Sequence, residues 1–170
     1  MKLMFVSDVH GSKTNLKRVK EIYDEECPDK IIFLGDLFYN NKDINGEIEN
    51  ILMTFDNKIL IKGNNDSIGD IFTSSLEFVE TLCFTAFNKR FFCSHGHVYN
   101  IYRQPDKNFD VLVYGHTHQG MVIKDGQKYF LNPGSISIPR FNSVNSYMIV
   151  DDFGIYLKDL DKNIIKILLW

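Results

Sequence analysis

The chain opens on the stretch Leu3-Met4-Phe5-Val6-Ser7-Asp8-Val9-His10-Gly11, in which an apolar run ends in an aspartate and a histidine. The apolar run predicts a buried strand over residues 2–7. Side chains along a strand repeat with a period of two, so we expect Asp8 and His10 to point the same way and to form half of a metal site. An isolated Asp-x-His is more often a turn than a ligand pair, so this interpretation depends on further ligands.

The composition is that of an ordinary globular domain. Of the 170 residues, 44% are hydrophobic and 24% are charged, which predicts one domain over residues 1–170. The net charge of −3 argues against a general nucleic-acid-binding surface, which is usually basic. No apolar run approaches the ~20 residues of a membrane span, no signal peptide is recognisable, and the three cysteines lack metal-binding spacing. We therefore expect a cytoplasmic, disulfide-free protein that does not bind membranes.

Strand-like and helix-like segments alternate in the first half of the chain. Strands are predicted over residues 2–7, 30–34 and 58–62, with a polar loop at 40–43 and helices over 12–25 and 44–55. This alternation is the pattern of a parallel sheet covered by helices, so the fold class is α/β. The second half is mostly β, with strands predicted over residues 77–85, 89–94, 110–114, 121–124, 128–131, 146–151, 155–160 and 163–169, a short helix over 98–102 and a turn at 132–135.

Potential metal ligands directly follow five of the predicted strands. They are Asp8, His10, Asp36, Asn64, His95, His116 and His118. In an open α/β sheet, ligands bind beyond the carboxyl ends of the strands, so these side chains are expected to converge in one crevice. Carboxylates, an amide oxygen and imidazoles, without a thiolate, suit a divalent ion such as Mn²⁺, Fe²⁺ or Zn²⁺.

Seven ligands exceed the needs of one tetrahedral site and suit two ions about 3.5–4 Å apart, joined by a bridging group. A carboxylate bridges better than an amide or an imidazole. Asp8 is tied to His10 by spacing, so the free-standing Asp36 is the favoured bridge. Two such ions can hold a phosphate ester and lower the pKa of a bridging water, so that hydroxide attacks phosphorus in line. Most of these motifs alone would also fit a turn or loop, and their joint occurrence at strand ends favours the metal site.

The combination of Asp-x-His, Gly-Asp, Gly-Asn-x-Asp, a strand ending in His and Gly-His-x-His resembles the calcineurin-like metallophosphoesterase superfamily over residues 1–140. The finer resemblance is to its YfcE-like small phosphodiesterases. It implies a four-layer sandwich of two mixed β-sheets flanked by α-helices. It also implies that Asp8, His10, Asp36 and His118 hold one metal and that Asp36, Asn64, His95 and His116 hold a second.

The activity that this resemblance implies is divalent-metal-dependent hydrolysis of a small phosphodiester by hydroxide activated at a dinuclear centre. Mn²⁺ is the favoured cofactor, and Ni²⁺, Zn²⁺, Fe²⁺ and Mg²⁺ are alternatives that the same ligands accept. No stable nucleic-acid partner is expected. Relatives often form oligomers, and three aromatic residues predicted to be exposed (Tyr99, Tyr102 and Phe109) would allow a homodimer or homotetramer.

Three further residues are candidates for catalysis. Asn65 stands where many superfamily members have a histidine that protonates the leaving oxygen. Because an amide can donate a hydrogen bond to a phosphoryl oxygen but is no general acid near pH 7, we expect diesters or activated esters to be favoured over alkyl monoesters. Asp66 is expected to accept a hydrogen bond from a ligand histidine or from the backbone, or to cap a helix beginning at Ser67. His97 is expected at the edge of the site, where it contacts substrate or supports His95.

Three alternatives to a phosphodiesterase stay open on the sequence alone. The retromer subunit of the same fold acts mainly as an interaction scaffold, although all seven ligand positions hold competent residues here. A nuclease of the superfamily would need capping or DNA-binding elements, for which 170 residues leave little room. A phosphomonoesterase would share the same chemistry.

Overall fold

Two β-sheets pack against each other around a shared apolar core. The computed structural model describes residues 1–38, 46–67, 69, 71 and 74–170, so the predicted loop at 40–43 and the predicted start of the second helix at residues 44 and 45 lie outside the described residues. The elements are β1 (Lys2–Val6), α1 (Lys13–Glu26), β2 (Lys30–Phe33), α2 (Glu47–Met53), β3 (Lys58–Ile61), β4 (Phe78–Val79), β5 (Thr81–Ala86), β6 (Lys89–Ser94), β7 (Val111–Tyr114), β8 (Gly120–Asp125), β9 (Lys128–Pro133), β10 (Ser146–Asp151), β11 (Gly154–Asp159) and β12 (Ile164–Leu169). Among the described residues, no helix is long and apolar enough to cross a bilayer.

Both sheets are mixed, as predicted. Among the described residues, the first sheet has the strand order β12-β11-β10-β1-β2-β3-β4 and the second has the order β5-β6-β7-β9-β8. Strands β1 to β4 are parallel, as are β6, β7 and β9, whereas the remaining strands pair antiparallel. The parallel strands matter most for function because their carboxyl ends carry the predicted ligands.

The side chains of β1 divide the core into two parts. Leu3 and Phe5 face the second sheet and belong to a buried cluster that both sheets share. Met4 and Val6 face the opposite way, into a cluster that contains the apolar stripe of α1. That stripe was predicted from its helical spacing and consists of Leu16, Val19, Ile22 and Tyr23, which are all buried. The period of two along β1 thus fixes the layer order.

An irregular segment covers the outer face of the second sheet, where a short helix was predicted over residues 98–102. The prediction was wrong, because the side chain of Asn100 satisfies the local backbone instead. Its Nδ2 donates to the carbonyl oxygen of Gly96, and its Oδ1 accepts from the backbone N–H groups of Tyr102 and Arg103. Tyr102 is 96% exposed, whereas Phe109, also predicted to be exposed, is 4% exposed and packs in the core.

The predicted strand over residues 77–85 is divided at Glu80. Strand β4 pairs with β3 in the first sheet, and β5 pairs with β6 in the second. The chain therefore crosses from one sheet to the other at this point. The turn predicted at 132–135 begins later than expected, because Asn132 and Pro133 still belong to β9.

Candidate metal centre

The seven predicted ligand residues lie beyond the carboxyl ends of β1, β2, β3, β6 and β7. Six of them form two groups in which the ligand atoms lie within 4.8 Å of one another. One group is Asp8, His10, Asp36 and His118, and the other is Asp36, His95 and His116. Asn64 adjoins the second group, because its Oδ1 is 3.0 Å from Nε2 of His95. Asp36 belongs to both groups.

The carboxylate of Asp36 lies between these two groups. Its Oδ2 is 3.3 Å from Nε2 of His95 on one side and 3.6 Å from Nε2 of His10 on the other. In the first group, Nε2 of His118 is 3.3 Å from Oδ1 of Asp8 and 3.2 Å from Nε2 of His10. Nitrogen and carboxylate oxygen atoms that converge in this way are the donors that divalent cations such as Zn²⁺ and Mn²⁺ take from proteins.

Main-chain carbonyl groups orient two of the potential ligand histidines. Nδ1 of His95 is 2.7 Å from the carbonyl oxygen of Leu34, and Nδ1 of His118 is 2.6 Å from that of Ile138. A carbonyl oxygen only accepts hydrogen bonds, so Nδ1 carries the proton in both rings. Nε2 then faces the carboxylates, which is the usual arrangement of a metal-binding histidine.

The environment also controls the charge of the imidazoles. Burial lowers the pKa of His10 and of His116, which favours the neutral ring that a metal ion requires. Burial acts in the same direction on His95 and His118, but hydrogen bonds and charges of the neighbouring carboxylates outweigh it and raise the pKa of both rings. At these two positions a metal ion would compete with a proton.

The fully buried side chain of Asp8 shows that the cluster fits a cation. Its Oδ2 accepts the backbone N–H of His116 at 3.0 Å, whereas its Oδ1 faces Nε2 of His118 at 3.3 Å and, within the part of the chain that the structure describes, accepts no hydrogen bond while that ring is neutral with its proton on Nδ1. A buried carboxylate oxygen without a partner is costly unless a cation neutralises it. The donors available nearby are carboxylate, imidazole and amide groups, which fit a hard or borderline divalent ion.

Left-handed backbone aims most of these side chains into the centre. The residues concerned are Asp8, His10, Asp36, His116 and His118, with φ between 45° and 64°. Residues other than glycine seldom adopt this conformation, which costs about 1–3 kcal/mol each and is concentrated at functional sites. Strand β1 ends at Val6, so Asp8 and His10 converge through these turns. The expected convergence occurs, but the alternation of strand side chains was the wrong reason for it.

A glycine next to Asp36 provides the space that the carboxylate occupies. A Cβ at Gly63 would lie 2.1 Å from Oδ1 of Asp36 and 2.2 Å from its backbone nitrogen. These distances exclude any side chain unless the backbone moves. In the Gly-Asn-x-Asp motif, Gly63 therefore leaves space for the carboxylate of Asp36, and Asn64 supplies a potential ligand atom.

The carboxylate of Asp66 organises the turn that carries Asp36. It accepts hydrogen bonds of 2.8–3.0 Å from the backbone N–H groups of Asp36, Leu37, Phe38 and Gly63. Of the predicted roles, the structure shows acceptance from the backbone, whereas a helix cap would involve residues outside the described ones. Burial raises the pKa of Asp66 although the N–H donors favour the ionised form.

The other two catalytic candidates lie close to the second group. Asn65 donates its backbone N–H to Oδ1 of Asp36 at 2.8 Å and its side-chain amide to Oδ2 at 2.7 Å. The exposed His97 has its ring centroid 5.4 Å from that of His95 and 6.2 Å from that of His116. Burial lowers the pKa of His97. Its imidazole is therefore at the edge of the cluster and in neither ligand group.

Three polar residues that support the centre were missed in the sequence. Ser135 and Ser137 each donate a hydroxyl hydrogen bond of 2.8 Å to the carbonyl oxygen of Asp8, and Asn132 donates its amide to that of Gly115 at 2.8 Å. They fix the turns that present Asp8 and His116. The sequence assigned Asn132 and Ser135 only to a turn, although a polar run directly after an apolar strand was a signal that could have identified them.

Known proteins match both the sequence and the fold. Residues 1–152 match the calcineurin-like phosphoesterase superfamily domain. Phosphodiesterase YfcE of Escherichia coli K12 is 33% identical over 165 residues, which cover 89% of this chain and 88% of that protein. The solved structure of the E. coli phosphoesterase YfcE superposes with a TM-score of 0.90 at 29% identity, covering 99% of both chains.

A more distant structure shows the fold alone. Vps29 of Entamoeba histolytica, solved in complex with Zn²⁺, has a TM-score of 0.67 and 22% identity, covering 99% of this chain and 97% of its own. The family match and the YfcE identity decide the assignment, and this chain belongs to the calcineurin-like phosphoesterase superfamily.

Proposed function

We propose that this protein is a metal-dependent phosphodiesterase that uses two divalent cations, with Mn²⁺ favoured. The observation that carries the proposal is the position of Asp36, whose carboxylate is shared by both groups of potential ligands. The named activity of the relative YfcE, 33% identical, supports hydrolysis of a phosphodiester. A cytoplasmic location and a small phosphodiester substrate, without a stable nucleic-acid partner, belong to the same proposal.

Each part of the centre has a definite task in this reaction. Divalent cations bound at such a site supply positive charge that stabilises the phosphoryl oxygens and lowers the pKa of water. Asp8 and Asp36 provide fixed negative charge, and burial opposes a proton on His10 and His116. Hydrogen bonds from His95 and Asn65 outweigh burial and lower the pKa of Asp36, which therefore stays ionised. The residues thus offer cations an anionic and rigidly held set of donors.

The identity of Asn65 supports a preference among phosphate esters. Its amide donates to Oδ2 of Asp36 and cannot protonate a leaving alkoxide. A leaving group that departs without a proton must be a weak base. We therefore expect diesters and activated esters to react faster than alkyl monoesters.

The scaffold alternative remains to be tested, because Vps29, which shares this fold, is itself solved in complex with Zn²⁺. Metal binding alone would therefore not distinguish an enzyme from a scaffold, and hydrolysis must be measured. The metal-free protein should be assayed on bis-p-nitrophenyl phosphate and on p-nitrophenyl phosphate, with Mn²⁺, Ni²⁺, Zn²⁺ or Mg²⁺ added singly. We expect metal-dependent diester turnover that is lost in Asp36→Asn and kept in the surface control Asp125→Asn.

Three results would contradict the proposal. Metal binding without hydrolysis of either ester would favour the scaffold, and faster turnover of the monoester would favour a phosphomonoesterase. Cleavage of single-stranded DNA with Mn²⁺ would favour the nuclease. A homodimer or homotetramer stays a prediction, which size-exclusion chromatography with light scattering would test.

A further inference from the structure

A cavity of about 340 Å³ opens directly beside the metal centre, on the outer face of the second sheet. Its lining includes His95 and His97, which lie at the potential ligands, and Thr81 and Ser94. Thr81 and Ser94 are a directly opposite pair on β5 and β6. The cavity is large enough for a ring-sized group and much larger than a methyl group needs.

One potential ligand of the second group lies in the wall of this cavity. The ring of His97 lines the cavity, and its centroid is 6.2 Å from that of His116. His95 belongs to both the ligand cluster and the cavity wall. A group attached to a phosphate at the centre could therefore enter the cavity past His97.

The walls of the cavity suit an uncharged ring. Phe92 and Tyr99 meet edge to face, with ring centroids 5.4 Å apart. Three charged residues also line the cavity: Lys107 lies 5.9 Å from the ring centroid of Phe92, Glu80 pairs with Lys62 at 3.5 Å, and Asp106 adds a carboxylate. An aromatic surface of this kind binds planar rings by stacking or by edge-to-face contact.

We propose that this cavity binds the ester group that stays on phosphorus, and that this group is an uncharged aryl or nucleoside ring. The inference rests on the proposed phosphodiesterase function. In the reaction, the oxygen of water bonds to phosphorus and the bond from phosphorus to the leaving oxygen breaks. The products are an alcohol or phenol and a monoester that keeps the ring in the cavity. A monoester substrate has no second ester group to place there.

Three diesters that share the p-nitrophenolate leaving group test the proposal. They are methyl p-nitrophenyl phosphate, bis-p-nitrophenyl phosphate and thymidine 5′-(p-nitrophenyl phosphate). With the Mn²⁺-loaded wild type, kcat/KM should be roughly tenfold higher for a ring-bearing diester than for the methyl diester. The comparison of the last two diesters distinguishes an aryl ring from a nucleoside.

Variants of the cavity wall locate the effect. Tyr99→Ala should lower kcat/KM for the preferred ring-bearing diester roughly three- to tenfold, mainly through KM, with a smaller effect on the methyl diester. The matched control is Tyr102→Ala, because Tyr102 is on the same segment but is 96% exposed and outside the cavity. Thr81→Trp should fill the cavity and act in the same direction, whereas Thr85→Trp, on the same face of β5 and outside this cavity, should not.

The outcomes separate this inference from the function on which it rests. No hydrolysis of any diester by the wild type would refute the phosphodiesterase function and the inference with it. Equal kcat/KM for all three diesters, or an equal loss for all three in Thr81→Trp, would overturn the cavity assignment while leaving the function intact.

Discussion

Asn65 holds both oxygens of the Asp36 carboxylate, one through its backbone N–H at 2.8 Å and the other through its side-chain amide at 2.7 Å. Asp36 is shared by the two groups of potential ligands, so Asn65 restrains the carboxylate on which both groups depend. The sequence suggested a contact between Asn65 and the phosphoryl group. The structure adds a positioning contact to Asp36.

A histidine at position 65 should change the selectivity of the enzyme. We expect Asn65→His to raise the rate on an alkyl monoester relative to a diester by at least about tenfold, because an imidazole can protonate a poor leaving group. Steady-state rates on glycerol phosphate and bis-p-nitrophenyl phosphate measure this ratio. Asn65→Ala is the control, since it removes the side-chain contact to Asp36 but keeps the backbone contact and adds no acid. An unchanged ratio in Asn65→His would show that the missing proton donor does not set selectivity.

Gly63 should be intolerant of alanine because its Cβ would overlap Asp36. We expect Gly63→Ala to displace the carboxylate, to lower stability by about 1–3 kcal/mol and to weaken metal binding by about tenfold. Isothermal titration calorimetry would measure the metal affinity, and urea unfolding would measure the stability. Gly69→Ala is a matched control, because among the described residues the atom nearest to its Cβ would be Oγ of Ser67, at 3.6 Å. Equal effects of the two variants would contradict the steric explanation.

Removal of the Asp66 carboxylate should destabilise the protein strongly. Asp66→Ala would leave four backbone N–H groups without their acceptor, among them those of Asp36 and Gly63. Unsatisfied buried groups cost about 1–3 kcal/mol each before relaxation, so we expect a loss of about 3 kcal/mol or more in the free energy of unfolding. Urea denaturation measures the loss, and the surface variant Asp125→Ala should stay within about 0.5 kcal/mol of the wild type.

His97 should affect turnover without affecting metal content. Its ring lies outside both ligand groups, so His97→Ala should bind as many metal ions as the wild type while losing about tenfold in diester kcat/KM. Elemental analysis of the purified proteins gives the metal content. His116→Ala is the contrasting variant, because its ring belongs to the second group and its removal should lower the content. Loss of metal in His97→Ala would indicate that His97 is a metal ligand.

Asp110 offers a test of the electrostatics away from the centre. Hydrogen bonds from the guanidinium and backbone N–H of Arg90 lower the pKa of Asp110 from 3.8 to about 2. A carboxyl with a lowered folded-state pKa stabilises the fold above about pH 4, and the contribution is lost as the pH falls toward 2. NMR titration should give a midpoint near 2 that rises toward 3.8 in Arg90→Met. A wild-type midpoint near 4 would contradict the ion pair.

Local patterns were sufficient to predict most of the ligand cluster. Each of the seven residues follows an apolar strand directly, and parallel strands bring such positions to one edge of a sheet. The irregular segment near Asn100 was mispredicted, because apolar spacing does not show that an amide side chain will compete for backbone hydrogen bonds. The division at Glu80 was also missed, since only the packing of two sheets decides which strand pairs with which.

The sequence by itself determined the alternation of strands and helices in the first half, the types of potential ligand and the choice of Asp36 as the favoured bridge, because these depend on residue periodicity and on the chemistry of the donor atoms. The two mixed sheets were implied by the family resemblance. Only the tertiary structure decided how the side chains converge. Left-handed turns at Asp8, His10, Asp36, His116 and His118 and the space at Gly63 depend on segments that are far apart in the chain. For the same reason the cavity beside His97, built from β5, β6 and residues 96–99 and 105–107, is not readable from any one stretch of sequence.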